Sequence, residues 1–317
     1  MSTNLAAEPS ASHAAAPVPR APRRRSGKRL YRFAGWLFAL PALAFYGFFE
    51  VNPIAHAIKY SFYQWDGIAP KMRWVGLANY SSVISKPQEL SSLWHAFFFI
   101  IFFSVLPVTI GLIVAAVMRT VKPGAYGSVT RTLLFIPQIL PGAAAGVAWG
   151  WMYSEHGFVN TVLGWVGLGG VSEAWLGSFS LALPAVGFVG TWLATGLCSV
   201  LLMSGIGAID AALYEAAELD GAGALRQFFN ITIPGLRQQI GVCVTVTIVS
   251  ALSSFDVVYL MTQGGPGYST MVPGVEIYNL AFNEYQVGAA CALAVALTVV
   301  VVAVIGPLQY FFRKETN

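Results

Sequence analysis

Three hydroxyl-bearing residues, Thr247, Ser250 and Ser254, recur at three- and four-residue spacing in a stretch almost free of charge, and one carboxylate, Asp256, follows them. Side chains repeated at that interval fall on one face of a helix. Together with an aromatic ring such as Trp192, they suit a solute that presents OH groups beside C–H patches. A second reading stays open, because Ser and Thr in apolar helices often bond only to their own backbone or to a neighbouring helix. Asp256 divides the same way: a carboxylate inside an apolar stretch is costly unless it meets a polar cavity or a partner helix. A proton- or sodium-driven carrier usually needs several such groups in relay, and here one acid stands alone.

Residues for covalent, metal or nucleotide chemistry are missing from the pattern. No G-x-x-x-x-G-K-[ST] occurs, and Gly27-Lys28 stands without the earlier glycine, so nothing in the chain is expected to cradle nucleotide phosphates. His13, His56, His95 and His156 are scattered, with no H-E-x-x-H, which argues against a metal site. Cys198, Cys243 and Cys291 each lie in an apolar run and read as small packing residues rather than disulfide partners or ligands. With no nucleophile elbow or Cys/His pairing either, the chain is expected to be neither a catalyst nor the holder of a cofactor.

The elements that must position these residues follow from composition. Of 317 residues 56% are apolar and only 10% charged, against about 25% charged in soluble domains. So few charges cannot cover a water-facing surface, and 21 Phe, 13 Tyr and 9 Trp exclude a disordered chain. Windows nearly free of charge lie at 33–52, 93–118, 132–153, 182–204, 239–262 and 289–312, each long enough to cross the bilayer as a helix. The fold class expected is an all-α membrane protein of six transmembrane helices. The net charge of +4 is no sign of a nucleic-acid partner, since seven of the 18 Lys and Arg fall between Arg20 and Arg32, beside the first window. Residues 1–29, rich in Ala, Pro, Ser and Arg, read as a disordered basic tail ahead of a membrane domain over 30–317. Placing that tail inside puts 14 Lys and Arg inside and four (Lys59, Lys71, Arg73 and Lys86) outside. The positive-inside rule then gives cytoplasmic N- and C-termini.

Within the third window, Gly142, Gly146 and Gly150 form two G-x-x-x-G steps, a smooth strip for close helix packing within the chain or against a second subunit. Pro137, Pro141 and Pro184 lie near helix ends, where they free carbonyls and can shape a cavity. The outer loop from Gly157 to Gly170 reads as interfacial rather than crossing. The longest inner loop, 205–238, carries Asp210, Glu215, Glu218, Asp220, Arg226 and Arg237. Leu213–Leu219 has helical spacing and places Glu215 in a first turn, Gly221 and Gly223 supply a turn, and Ala224–Ile231 resumes helix until Pro234. Such a charged hairpin is either a cap on the bundle or a docking element for a cytoplasmic partner.

The same loop carries a resemblance. Glu215-Ala216-Ala217, then Gly221 after three residues, Ile231 after nine more, and Ile233-Pro234 resemble the EAA loop of bacterial ABC-importer permeases, with Ile233 where the family has Leu. Trp74-Val75-Gly76-Leu77-Ala78-Asn79-Tyr80, the run from Phe255 to Pro266, and Tyr278 with Ala281-Phe282 are similar to segments of the carbohydrate-importer class of that family.

The resemblance implies a multi-pass permease subunit of the bacterial inner membrane, belonging to a binding-protein-dependent importer, most simply for a neutral sugar. A glycerol-phosphate or other polyol-like solute is the alternative, and an ion-coupled carrier a more distant one. It implies a second homologous permease, two ATP-binding cassette subunits that bind ATP and Mg, and an extracytoplasmic solute-binding protein as partners in the lipid bilayer. Coupling to the ATPase would fall to Glu215, Ala216, Ala217, Asp220, Gly221, Ile231 and Pro234. The family's sugar path maps to the hydroxyls of the fifth span and to Leu193, Ala194 and Leu197 after Trp192. Gly264, Gly265 and Pro266 would lie in an outer loop near the binding protein. Lacking a phosphate loop, the purified single chain should show no ATP turnover; hydrolysis by a preparation free of other ATPases would contradict this reading.

Overall fold

The computed structural model describes residues 28–120 and 125–314. The basic tail read over 1–29 lies outside the described residues, except that Lys28 and Arg29 begin a helix. The chain divides into two compact units after Pro53. In the first, α1 (Lys28–Tyr46) passes into a π turn at Gly47–Val51, where the Phe49 ring lies 4.4 Å from Phe45 and 5.1 Å from Phe48. Helix α2 (Asn52–Tyr60) spans the division.

The second unit opens with the only sheet among the described residues, β1 (Tyr63–Gln64) antiparallel to β2 (Arg73–Trp74). Helix α3 (Ala78–Ser85) follows, and its Asn79 explains the segment singled out around Val75–Tyr80: Asn79 Nδ2 donates to Ser61 O and Tyr63 O, both at 2.9 Å. Then come α4 (Pro87–Ile100), a π turn at Ile101–Val105 and α5 (Leu106–Thr120), which together make one apolar run from Pro87 to Thr120. The chain continues through α6 (Ala125–Ile139), α7 (Gly142–Met152), the short α8 (Phe158–Trp165) and α9 (Ala182–Ile206). Beyond lie α10 (Ala211–Leu219), α11 (Ala224–Gln227), a π turn at Phe228–Thr232, α12 (Ile233–Gly235) and α13 (Arg237–Leu252). The last are α14 (Asp256–Met261), α15 (Pro273–Tyr278) and α16 (Val287–Lys314).

Helix α9 is the hub, apolar all round and packed against α5, α6 and α13. Its missing side chains let neighbours approach. A Cβ at Gly190 would fall 2.1 Å from the Phe103 ring, one at Gly187 2.6 Å from Phe102, and one at Gly196 2.4 Å from the Leu134 carbonyl oxygen of α6. Phe102 and Phe103 belong to the π turn, and its widened ladder is closed from α9: Thr191 Oγ1 donates to Phe102 O at 2.6 Å.

Among the described residues four helices are long and apolar enough to cross a membrane, or up to six if each of two bent pairs counts as one span. Two of the expected spans are therefore not simple rods. The window 132–153 bends by 96° between Ile139 and Gly142. The cause is Pro141, which sits extended at ψ 140° ahead of α7, has no N–H to continue the ladder and keeps the preceding residue out of helical geometry. The window 239–262 is not one helix either: α13 ends at Leu252 and α14 begins at Asp256, with Phe255 at φ −140° between them. Ahead of α13, the run Ala224–Gly235 meets Arg237–Leu252 at 71°.

The Gly196 contact gives a stability test. Because the obstructing atom is backbone, Gly196→Ala must part α6 from α9, and thermal unfolding in detergent should show destabilisation of about 1–3 kcal/mol. An unchanged transition would show that this approach is not tight.

Candidate functional site

Two of the helix breaks, the bend before α7 and the gap between α13 and α14, meet at one place. Leu140 and Gly142 flank the first, Ser253, Ser254 and Phe255 form the second, and all five line a cavity of about 440 Å³. Of the residues singled out for a solute path, Leu193, Ala194 and Leu197 of α9, Thr247 and Ser250 of α13, Ser254 and Asp256 line this cavity. Trp192 does not. It is turned about 100° along the helix from Leu193 and packs edge to face on Trp149, with ring centroids 5.5 Å apart. Gln138, Ser253, Phe103 and Phe255 also line the cavity and were not identified from sequence. An uncharged amide between Pro137 and Pro141 was the available signal for Gln138.

The hydroxyls differ in what they have left to offer. Thr247, 2% exposed, donates to Cys243 O at 2.7 Å and lies 2.7 Å from Ser104 Oγ, so it fastens α13 to the π turn. Ser250 is exposed, and its hydroxyl donates to Val246 O at 3.0 Å, leaving its lone pairs to the cavity. Ser254 is not on the helical face with the other two, because it lies in the break after α13. It is 8% exposed and its buried Oγ has no hydrogen-bond partner. A buried hydroxyl left unmatched costs free energy until something bonds it.

Asp256 opens α14 and is exposed. Among the described residues it is the one ionisable residue lining the cavity, so an acid and no basic side chain faces that space. The first G-x-x-x-G step explains its seat: a Cβ on Gly142 would lie 3.4 Å from Asp256 Oδ2, and one on Gly146 3.2 Å from Leu260 Cβ. That step packs α7 on α14 within the chain, whereas Gly150 has nothing within 4 Å.

The loop 205–238 forms its own arrangement. Asp210 caps α10, its carboxylate accepting from Ala212 N at 3.0 Å. With the helix starting at Ala211, Glu215 stands in the second turn and not the first, exposed to solvent. At the other end Ala222 N donates to Ala217 O and Gly221 N to Glu218 O, the paired bonds of a Schellman end, and Gly221 takes φ +75°. Space around a Cβ at Gly221 is open, so only that left-handed backbone calls for glycine. The second arm continues past Ile231 through Pro234, which starts the turn α12 instead of ending the helix.

Tyr214, 4% exposed, joins the arms: its hydroxyl is 3.0 Å from Thr232 Oγ1, and the Arg119 guanidinium lies 3.4 Å over its ring. Ala217, Asp220 and Ile231 line a depression of about 240 Å³, while Ala216, Leu219, Leu225 and Phe229 are exposed. Gly264, Gly265 and Pro266 lie apart from the cavity, in a turn held by Thr270, whose N–H donates to Gly264 O and whose hydroxyl donates to Gly265 O.

Comparison with known proteins agrees over nearly the whole chain. Residues 13–314 match the model of the family described as binding-protein-dependent transport system inner membrane component. The chain is 32% identical to a probable ABC transporter permease protein of Bacillus subtilis, over 88% of this chain and 95% of that one. It is 30% identical to a lactose transport system permease protein of Rhizobium radiobacter, over 92% and 98%. In fold it is similar to a chain of a bacterial ABC transporter that imports the acidic polysaccharide alginate, with a TM-score of 0.78, 21% identity, and coverage of 92% and 99%. The broken helices around a cavity thus belong to a member of the binding-protein-dependent transport system inner membrane component family, a multi-pass inner-membrane permease subunit that is not itself an enzyme and that serves an importer whose ATP is bound by a partner ATPase and which acts with a solute-binding protein.

Proposed function

We propose that this chain forms half of the path for a neutral sugar, with the cavity between α9, α13 and α14 as its share of the solute site. The observation that carries this is Ser254 Oγ, buried at the cavity wall with no partner and close in sequence to exposed Asp256. A solute hydroxyl would satisfy the serine and donate to the carboxylate, while Phe103 and Phe255 offer apolar faces to the ring. The lactose permease among the relatives supports a sugar. A glycerol-phosphate would want a cation, and none lines the cavity; an ion-coupled carrier would want more than one acid.

In this reading a second, homologous permease closes the other side of the path, within the lipid bilayer and with both termini of this chain cytoplasmic. Two ATP-binding cassette subunits hold ATP and Mg and dock on the hairpin through Glu215, Ala216, Ala217, Asp220, Gly221, Ile231 and Pro234. The turn Gly264-Gly265-Pro266 lies toward the binding protein, and no nucleic acid takes part. Closure of the ATPases moves the hairpin, and the bundle exchanges outward for inward access.

Screening the cognate binding protein by thermal shift should give stabilisation with neutral mono- or disaccharides and none with glycerol-phosphate; the reverse result would transfer the site to the polyol-phosphate class. Ser254→Leu should reduce uptake while the assembled complex is recovered in normal amount, and unchanged uptake kinetics would return Ser254 to a packing role.

The hairpin is tested separately. Gly221→Val forces a β-branched residue into left-handed backbone at a cost of about 1–3 kcal/mol, so the ATPase should be retained poorly or transport lost. Glu215→Ala should weaken docking by about 1.5–3 kcal/mol, the worth of a hydrogen bond to a charged group, and leave the membrane core folded. Normal ATPase co-purification and uptake in both variants would reduce the hairpin to a cap.

A further inference from the structure

We infer that Arg119 is a positioning residue that ties the hairpin to the helix run reaching the solute cavity, so that movement of one is delivered to the other through its stack on Tyr214. The inference rests on the reading of the hairpin as the ATPase docking element. Arg119 stands in the last turn of α5, its guanidinium 3.4 Å over the Tyr214 ring. That ring belongs to the first arm, and its hydroxyl meets Thr232 Oγ1 of the second arm at 3.0 Å, with both residues buried. One aromatic side chain thereby collects three pieces of backbone: the end of a span and both arms of the hairpin.

The run Pro87–Thr120 is helical throughout, and its Phe103 lines the solute cavity. Sixteen residues separate Phe103 from Arg119, about 24 Å along a helix at 1.5 Å per residue. The π turn at Ile101–Val105 lies at the cavity end of that distance, pinned to α9 by Thr191. A displacement applied at Arg119 is therefore carried along one continuous helical run that reaches the cavity wall.

The stack is the specific contact here. Arg119, Arg131, Glu215 and Glu218 all line one cavity of about 440 Å³ between the hairpin and the span ends. Among the described residues, however, the one ion pair is Lys86 with Glu89, so none of these four is paired with another. A planar guanidinium stacks flat on an aromatic face, whereas a lysine ammonium meets it only as a point charge, so the contact depends on the shape of Arg119 and not only on its charge.

The test uses the whole complex of this chain with its partner permease and ATPase in lipid nanodiscs, with Mg-ATP and vanadate as the probe. Ser250→Cys supplies a thiol at the solute cavity, and its rate of maleimide labelling is measured with and without the probe, beside ATPase retention and basal ATP turnover. With Arg119 in place, the probe should change the labelling rate. Arg119→Ala should keep the ATPase bound and turning over while the probe-dependent change in labelling shrinks by about threefold or more, the scale on which single contacts modulate coupling between sites. Arg119→Lys should shrink it as well, and Tyr214→Phe, which keeps the ring, should leave it near the unmodified value. A full labelling response in Arg119→Ala overturns the inference, as does a response that falls only in step with lost ATPase. If the unmodified chain retains no ATPase, the docking reading and this inference fall together.

Discussion

Within a bilayer no water is at hand to bond a freed backbone group, so a helix can break only where protein or a water-filled space takes over that task. Two interruptions among the described residues obey that constraint at the same spot. The bend before α7 and the gap between α13 and α14 each contribute their own residues to the wall of one cavity. The placement opens the wall chemically, because a break presents hydroxyls and a helix start that a continuous helix would have kept to itself. Asp256 illustrates this: as the first residue of α14 it stands where a carboxylate is favoured by the helix dipole, and Gly142 keeps the opposite wall thin enough to admit it.

Much of this was legible in the sequence, through different signals. Absence of charge marked the six windows because the bilayer imposes it along a whole span. It could not mark breaks, which alter backbone direction without altering polarity. Pro141 announced a kink, but nothing local fixes a bend of 96°. The gap at Ser253–Phe255 has neither Gly nor Pro, so the helical spacing ran on through it on paper. Ser254 lines the cavity by way of the break and not of the helical face. Trp192 shows the converse, an aromatic ring whose chemistry suited a sugar and whose angular position sent it to Trp149. In the hairpin, Gly221 was read correctly as a turn because a left-handed residue leaves a plain mark. Asp210 was overlooked as the cap, and the start of α10 consequently moved Glu215 back by a turn.

Helix α9 has a further property, which concerns the making of the protein rather than its working. The closest approaches permitted by Gly187, Gly190 and Gly196 are all to residues synthesised earlier, namely Phe102, Phe103 and Leu134. Those partner surfaces therefore already exist when α9 leaves the ribosome, whereas the space at its Gly205 is filled by Leu236 and Gln239, which follow later. Helix α13 is in the opposite position, since the side-chain space at its Gly241 is filled by Phe312, near the end of the last helix. The α13 side of the molecule thus stays unfinished until translation is nearly over, and a nascent chain stalled before α16 would hold α9 settled on its earlier partners beside an open α13 seam.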